Sequence, residues 1–289
     1  MDGILPPDVE HAAKQARSQA IAEYFEASGS ADDTSAEGQP LLHLVQSAMI
    51  GHRHAPAVRA VLAGGPRNVD VLWFGWTPLH RATSRSLTSL SKQLDIITML
   101  VEAGADVNAR ISTHPARNER SGRTPLLLAA AHTWRIGGSR KYAIIRLLLT
   151  LGARIDICDD YGGTVDSILA GHPLLKFYDD EEFWYQKRDH RKAMTLVAEV
   201  RSAGGTWARY IHEPRVRLDV LRQLCARGRA APQTYFFLGL PGTHMRIRRR
   251  RQNIVACLFT DLPKDMFRHV VRFWGSDRDF PDDSDNEYQ

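Results

Sequence analysis

Apolar residues recur at helical spacing in three segments of the first 200 residues, at 96–101, 144–149 and 194–200. Spacing of three and four residues places these side chains on one face of a helix, so each segment predicts a helix with one buried side. Each segment is followed by a glycine, which can adopt the left-handed conformation that ends a helix. These glycines are Gly104, Gly152 and Gly204.

A sequence signal for the start of another helix precedes two of these segments. Thr77-Pro78 and Thr124-Pro125 each combine a hydroxyl that can cap a helix with a proline suited to the first helical position. After Gly104, Asp106 and Asn108 supply residues typical of turns. Residues 75–108 therefore predict a helical hairpin followed by a turn, with too little core to be stable alone.

The stretch from Gly75 to Asn108 resembles an ankyrin repeat. It contains two hallmarks of that family, the tetrad Thr77–His80 followed by Ala82 and the run Gly104–Asn108. The resemblance implies an all-α fold, an ankyrin-type solenoid of helical hairpins with helical N-terminal and C-terminal caps. It also implies a non-enzymatic protein that binds other proteins with turn tips and first helices, and a His80 that hydrogen-bonds backbone in the turn.

The same pattern divides the chain into segments. Four copies of the repeat are expected, at residues 38–74, 75–121, 122–161 and 162–207, and the outer two match the pattern less well. Residues 1–37 are expected to form a helix over 8–27 and a flexible linker. Residues 208–276 are expected to form a small helical C-terminal module, followed by an acidic disordered tail at 277–289.

The copies are longer than the roughly 33 residues of such repeats, and one insertion lies in the turn at residues 111–120. Insertions in a solenoid often mark the binding face, and aromatic and arginine side chains make good interface anchors. For the tryptophans, packing between repeats is an equally open interpretation. The candidate protein-binding residues are Trp73, Phe74, Trp76, Arg110, Arg117 and Arg120.

Composition adds little that is specific. The chain has 43% hydrophobic and 25% charged residues, a formal charge of +5 and three widely spaced cysteines, which argues against a disulfide framework. Neither a secretory signal nor an apolar run of membrane-spanning length is evident. These features predict an intracellular monomer, in cytoplasm or nucleus, without a membrane partner.

Motifs for chemistry are not found in the sequence. The twelve histidines do not fall at a metal-binding spacing, and neither a phosphate-binding glycine loop nor a nucleophile elbow occurs. We therefore expect no catalytic, metal-binding or cofactor-binding residues, and no cofactor.

The last third contains two further motifs. The basic run Arg246, Arg248, Arg249, Arg250 and Arg251 has three open interpretations: a solvated helix end, a nuclear-import or nucleic-acid contact, or a site for an acidic partner. Aromatic residues for base stacking do not interleave with it, so nucleic acid is the less favoured partner.

The second motif is an amphipathic segment, residues 261–274, that resembles the opening helix of an F-box. Residues 220–225 similarly resemble the core of a SOCS box, another ligase-docking module. The resemblance implies docking to ubiquitin-ligase components, and a structural cap on the last repeat is the alternative. The candidate docking residues are Leu262, Pro263, Phe267, Val270 and Phe273.

Two functional hypotheses follow. The first is a protein-interaction scaffold, in its finer form a substrate adaptor of a ubiquitin ligase. The second is a nuclear regulatory protein that uses the basic run at 246–251.

Overall fold

The computed structural model describes residues 3–47, 54–84, 89–112, 121–131, 140–171 and 184–213. These residues contain the ten α-helices given below and a further helical segment at 207–213, and β-pairing among them is limited to isolated bridges, so the predicted all-α fold is confirmed. The helices are α1 Pro7–Lys14, α2 Ser18–Glu26, α3 Leu41–Ser47, α4 His54–Ala63, α5 Pro78–Ser84, α6 Leu90–Glu102, α7 Pro125–Ala131, α8 Lys141–Thr150, α9 Val165–Ala170 and α10 Trp184–Ser202.

Successive helices form five pairs, and the pairs stack in chain order. The first helices pack in the series α1, α3, α5, α7, α9, while α2 packs on α4, α4 on α6, and α8 on α10. Because each pair contacts mainly its neighbours, the described pairs form a helical-hairpin solenoid. This compact unit covers Met1–Thr206, and a second unit begins at Trp207.

Threonine side chains cap three of the first helices, α5, α7 and α9. For α5 and α7 the sequence predicts this from a threonine followed by proline. The Thr77 hydroxyl accepts a hydrogen bond from the His80 backbone N–H at 3.3 Å, which satisfies one of the unpaired donors at the start of α5. Thr124 accepts the equivalent bond at 3.3 Å and Thr164 at 3.2 Å.

The buried faces of the second helices are those that the apolar spacing predicts. In α6, Ile96 and Leu100 are at most 2% exposed, and in α8 Ile144 and Leu148 are completely buried. Burial of apolar area is the main stabilising contribution in such a stack. The solenoid core therefore runs between the first and second helices of each pair.

The N-terminal region differs from the prediction of one helix over residues 8–27. Two helices, α1 and α2, occupy it, and Ala16 between them has a φ of 50°, in the left-handed region. The break lets α1 pack on α3 and α2 on α4, so both halves bury apolar side chains against the stack. One straight helix would bury only one narrow face. Glycine or proline does not mark the break in the sequence.

The segment predicted as a flexible linker, residues 28–38, forms hydrogen-bonded turns. Asp33 is 6% exposed, and its carboxylate accepts hydrogen bonds from the backbone N–H groups of Gly3 at 2.6 Å and Ser30 at 3.0 Å, and from the Tyr24 hydroxyl. A buried carboxylate with three donors orders the chain around it. The order of this segment therefore depends on residues far from it in sequence.

The helix bounds also fix two details of register. Pro40 lies before α3 and takes the place that Thr77 has before α5, so the prolines of these two copies are not equivalent. Helix α6 begins at Leu90, six residues before the apolar segment 96–101 that predicts it. This earlier start brings the completely buried Gln93 into the helix.

Candidate protein-binding surface

The turns before α3, α5, α7 and α9 are each closed by backbone hydrogen bonds between their two sides, and each is here called a finger. The fingers comprise residues 34–40, residues 73–76, residues 111–112 with 121–123, and residues 159–163. In the second finger, Trp73 and Trp76 exchange both backbone hydrogen bonds, at 2.9 and 3.1 Å, around the pair Phe74-Gly75. Positive φ angles of 51° and 78° at these two residues are those of the tight turn that joins twisted strands.

Hydrogen bonds between neighbouring fingers hold them in register. The Ser112 N–H donates to the Gly75 carbonyl at 3.1 Å, and the Asp160 N–H donates to the Ser121 carbonyl at 3.3 Å. A side chain at Gly75 would lie 2.5 Å from the Ser112 carbonyl oxygen, so this approach requires glycine. The second, third and fourth fingers therefore form a connected edge.

Side chains at the bases of the turns add a second row of contacts. Asp32 accepts from the Arg67 N–H at 2.9 Å, and Asp70 accepts from the Asp106 N–H at 2.8 Å. Asn108 accepts in the same way from Arg154 at 2.9 Å. This repeated bond fixes the spacing of successive turns.

Large apolar side chains are exposed on two of the fingers or directly beside them. Leu72 is 52% exposed, Phe74 48% and Tyr161 68%, and the half-buried Trp73 packs against Phe74 with ring centroids 4.7 Å apart. Phe74 also has a positive φ of 51°, which is uncommon for a non-glycine residue and marks a strained position. We call these four residues, Leu72, Trp73, Phe74 and Tyr161, the fingertip surface.

Tyr161 occupies the same place in its finger as Phe74. Each lies three residues before the threonine that starts the next helix, and each is followed by a glycine with positive φ. The corresponding residues of the other fingers are Glu37 and Ser121. Tyr161 is not among the candidate residues named from the sequence, although aligning the fingers on Thr77 and Thr164 identifies it.

The tryptophans predicted to bind protein have different environments. Trp76 is 9% exposed and packs with Ile111 and Leu128, so it joins one repeat to the next. This is the packing interpretation that the sequence left open. Trp73 keeps part of its surface exposed beside Phe74, so these two remain candidates for contact.

Arg110 lies directly before the third finger and forms an ion pair with the fourth. Its guanidinium lies 2.8 Å from the Asp160 carboxylate, which also accepts from the Ser121 hydroxyl. The Ser121 and Arg110 hydrogen bonds lower the pKa of Asp160 below its usual value. Arg110 thus joins the third finger to the fourth. The other two candidate arginines, Arg117 and Arg120, lie outside the described residues.

His80 has the structural role that the resemblance implies. The Thr77 N–H donates to Nδ1 at 3.2 Å, so the ring proton is on Nε2, which donates to the Arg123 carbonyl at 3.1 Å. Burial lowers the pKa of His80 to about 4, so the ring is neutral at pH 7. The imidazole links the start of α5 to the next finger.

The first helices contribute little exposed surface. None of the residues whose burial is described in α3, α5 and α7 is exposed, and Leu126 and Leu127 are completely buried. The ankyrin resemblance predicts a binding surface that combines turn tips with first helices. In these three repeats the fingers provide the exposed part.

Comparison with known families agrees with this geometry. The model of the ankyrin repeat matches residues 74–112 and 121–160. The chain carries two ankyrin repeats. They comprise the second finger with α5 and α6, and the end of the third finger with α7, α8 and the start of the fourth finger. No curated protein matches the chain.

Ankyrin repeats point to a protein–protein interaction scaffold, and the ankyrin-repeat family is generally non-enzymatic. Within the part of the chain that the structure describes, no group of histidine, cysteine and acidic side chains is arranged to hold a metal ion. None of the helices searched in that part is long and apolar enough to span a bilayer.

Two candidate segments belong to the C-terminal part of the chain. Both the basic run, Arg246 to Arg251, and the segment 261–274 lie outside the described residues. The comparisons do not support the resemblance to an F-box or a SOCS box.

Proposed function

We propose that this protein is an interaction scaffold that binds partner proteins with its fingertip surface. The observation that supports this most strongly is Phe74, a large apolar side chain held in a strained backbone conformation and left 48% exposed. Burying such a residue in the core would stabilise the protein, whereas exposure at a rigid tip suits insertion into an apolar pocket of a partner.

Three features support the same surface. Trp73 packs on the Phe74 ring and limits its motion, so little side-chain entropy is lost on binding. Tyr161 provides a second exposed ring at the equivalent place in another finger. The hydrogen bonds that connect the fingers hold both rings on one edge of the solenoid.

The experiment is a pull-down from cell lysate with the full chain, read by quantitative mass spectrometry. The test variant combines Phe74→Asn, since asparagine tolerates positive φ, with Tyr161→Ala. The matched control is Glu37→Ala, at the same place in the first finger. We expect the test variant to lose partners by about tenfold or more, the size expected for hot-spot residues. Equal recovery by the test variant and the control would refute the proposal.

Two finer functions depend on residues outside the described part and are proposed from sequence alone. A ubiquitin-ligase adaptor would recover ligase components in the same pull-down and lose them with Leu262→Ala and Phe267→Ala. A nuclear regulator that contacts nucleic acid through residues 246–251 would bind DNA at low salt and lose affinity steeply as salt rises.

A further inference from the structure

The first helices end in the same way in three successive pairs. The last carbonyl groups of a helix lack partners within the helix, and here a buried side chain from the second helix of the pair donates to one of them. Gln93 Nε2 donates to the Ala82 carbonyl at 2.9 Å, and Lys141 Nζ donates to the Ala130 carbonyl at 2.8 Å. In the last pair His190 Nε2 lies 2.9 Å from the Leu169 carbonyl.

Two further contacts run between pairs at this end of the helices. Asp189 of α10 accepts hydrogen bonds from two N–H groups of α8, Lys141 at 2.8 Å and Tyr142 at 3.3 Å. Arg140 donates to the Gln93 side chain of α6 at 3.4 Å, which is the longest contact of the set. We call the five residues Gln93, Arg140, Lys141, Asp189 and His190 the polar line.

The start of α8 therefore depends on α10. Its own N-cap residue, Arg140, makes no capping bond with its side chain. The carboxylate that caps the helix belongs to Asp189, 48 residues further along the chain. Because Asp189 is 5% exposed, loss of this contact would leave the Lys141 and Tyr142 amides without their acceptor in a largely dry site.

We propose that the polar line is a conformational coupling device, through which opening of the pair α9–α10 loosens the start of α8 and its contact with α6. Apolar contacts between neighbouring repeats adapt to small shifts, whereas a buried hydrogen bond is lost within about an ångström. The line also lies at the opposite ends of the first helices from the fingers, so it acts separately from the fingertip surface. This proposal does not depend on the proposed function.

Native-state hydrogen exchange tests the coupling. In Asp189→Ala we expect exchange to become about tenfold faster at the first-turn amides of α8, the factor expected for loss of one helix cap. Exchange should also become faster at the start of α6. The matched control is Leu196→Ala, which removes a buried apolar contact from α10 itself and should mainly affect α10. Faster exchange confined to α10 in both variants would overturn the proposal.

A second measurement keeps the test valid if Asp189→Ala does not fold. Asp189→Asn keeps one acceptor oxygen but loses the carboxylate charge, so it should fold and weaken the protection in α8 by a smaller factor than loss of the whole cap. A double-mutant cycle then combines Asp189→Asn with Gln93→Leu, which lie in the fifth and third pairs. Coupling predicts that exchange in α8 changes by a factor different from the product of the single factors. Agreement with that product would refute the proposed coupling.

Discussion

Replacing Gly75 by alanine would test whether contact between fingers stabilises this solenoid. Gly75 has a φ of 78°, and an added Cβ would lie 2.5 Å from the Ser112 backbone oxygen and 2.9 Å from its hydroxyl. The Ser112 N–H donates to the Gly75 carbonyl across the same approach. The methyl group therefore cannot be accommodated unless the third finger moves away.

The expected cost has two parts. Alanine in the left-handed conformation costs about 1–2 kcal/mol relative to glycine. Displacement of the third finger would add about 1 kcal/mol for the lost hydrogen bond, or more if a buried group is left unpaired. Gly38 is the matched control, because it has a φ of 77° and nothing within 4 Å of an added Cβ. Gly38→Ala should therefore show the backbone cost alone.

Urea denaturation followed by circular dichroism would measure both variants against the natural chain. We expect Gly75→Ala to lower the free energy of unfolding by about 2–3 kcal/mol and Gly38→Ala by about 1–2 kcal/mol. The difference between the variants is the contribution of the contact between fingers. Equal losses would show that the third finger adapts at no cost, and would refute the view that the fingers form a fixed edge.

Three further predictions depend on how deeply a side chain is buried. Trp76→Ala should cost about 3–5 kcal/mol in thermal unfolding, while Phe74→Asn should cost less than about 1 kcal/mol; similar losses would contradict their assigned positions. Burial lowers the pKa of Lys141 from 10.5 to about 7, so the unfolded chain binds more protons between these values and stability should rise with pH there. Urea titrations at pH 7 and 9 should show a rise of about 2 kcal/mol that Lys141→Met lacks. Burial lowers the pKa of His80 from 6.5 to about 4, so its contribution should be lost as pH falls from 6.5 to 4, and acid titration of His80→Gln should be flatter.

Local sequence determined where most of the helices in the repeats lie. A threonine hydroxyl next to proline starts α5 and α7, and apolar residues at helical spacing define the buried faces of α6 and α8. These signals involve residues within one or two helical turns, so they operate before any tertiary contact forms. The all-α fold and the ankyrin resemblance followed from them.

Tertiary structure decided which aromatic side chain is exposed. Trp76 and Phe74 are two residues apart and both apolar, yet Trp76 packs against Leu128 of the next repeat and Phe74 projects outward. The difference arises from the turn at Phe74-Gly75 and from the position of the third finger. Neither can be inferred from composition or spacing around the two residues.

Tertiary structure also decided the ends of the N-terminal helices and the polar line. The break at Ala16 is favourable because α3 and α4 offer separate surfaces to α1 and α2. Asp189 caps α8 although 48 residues separate it from Lys141. Buried polar groups select partners by proximity in the folded state, because an unpaired group in a dry site costs more free energy than local sequence preference supplies.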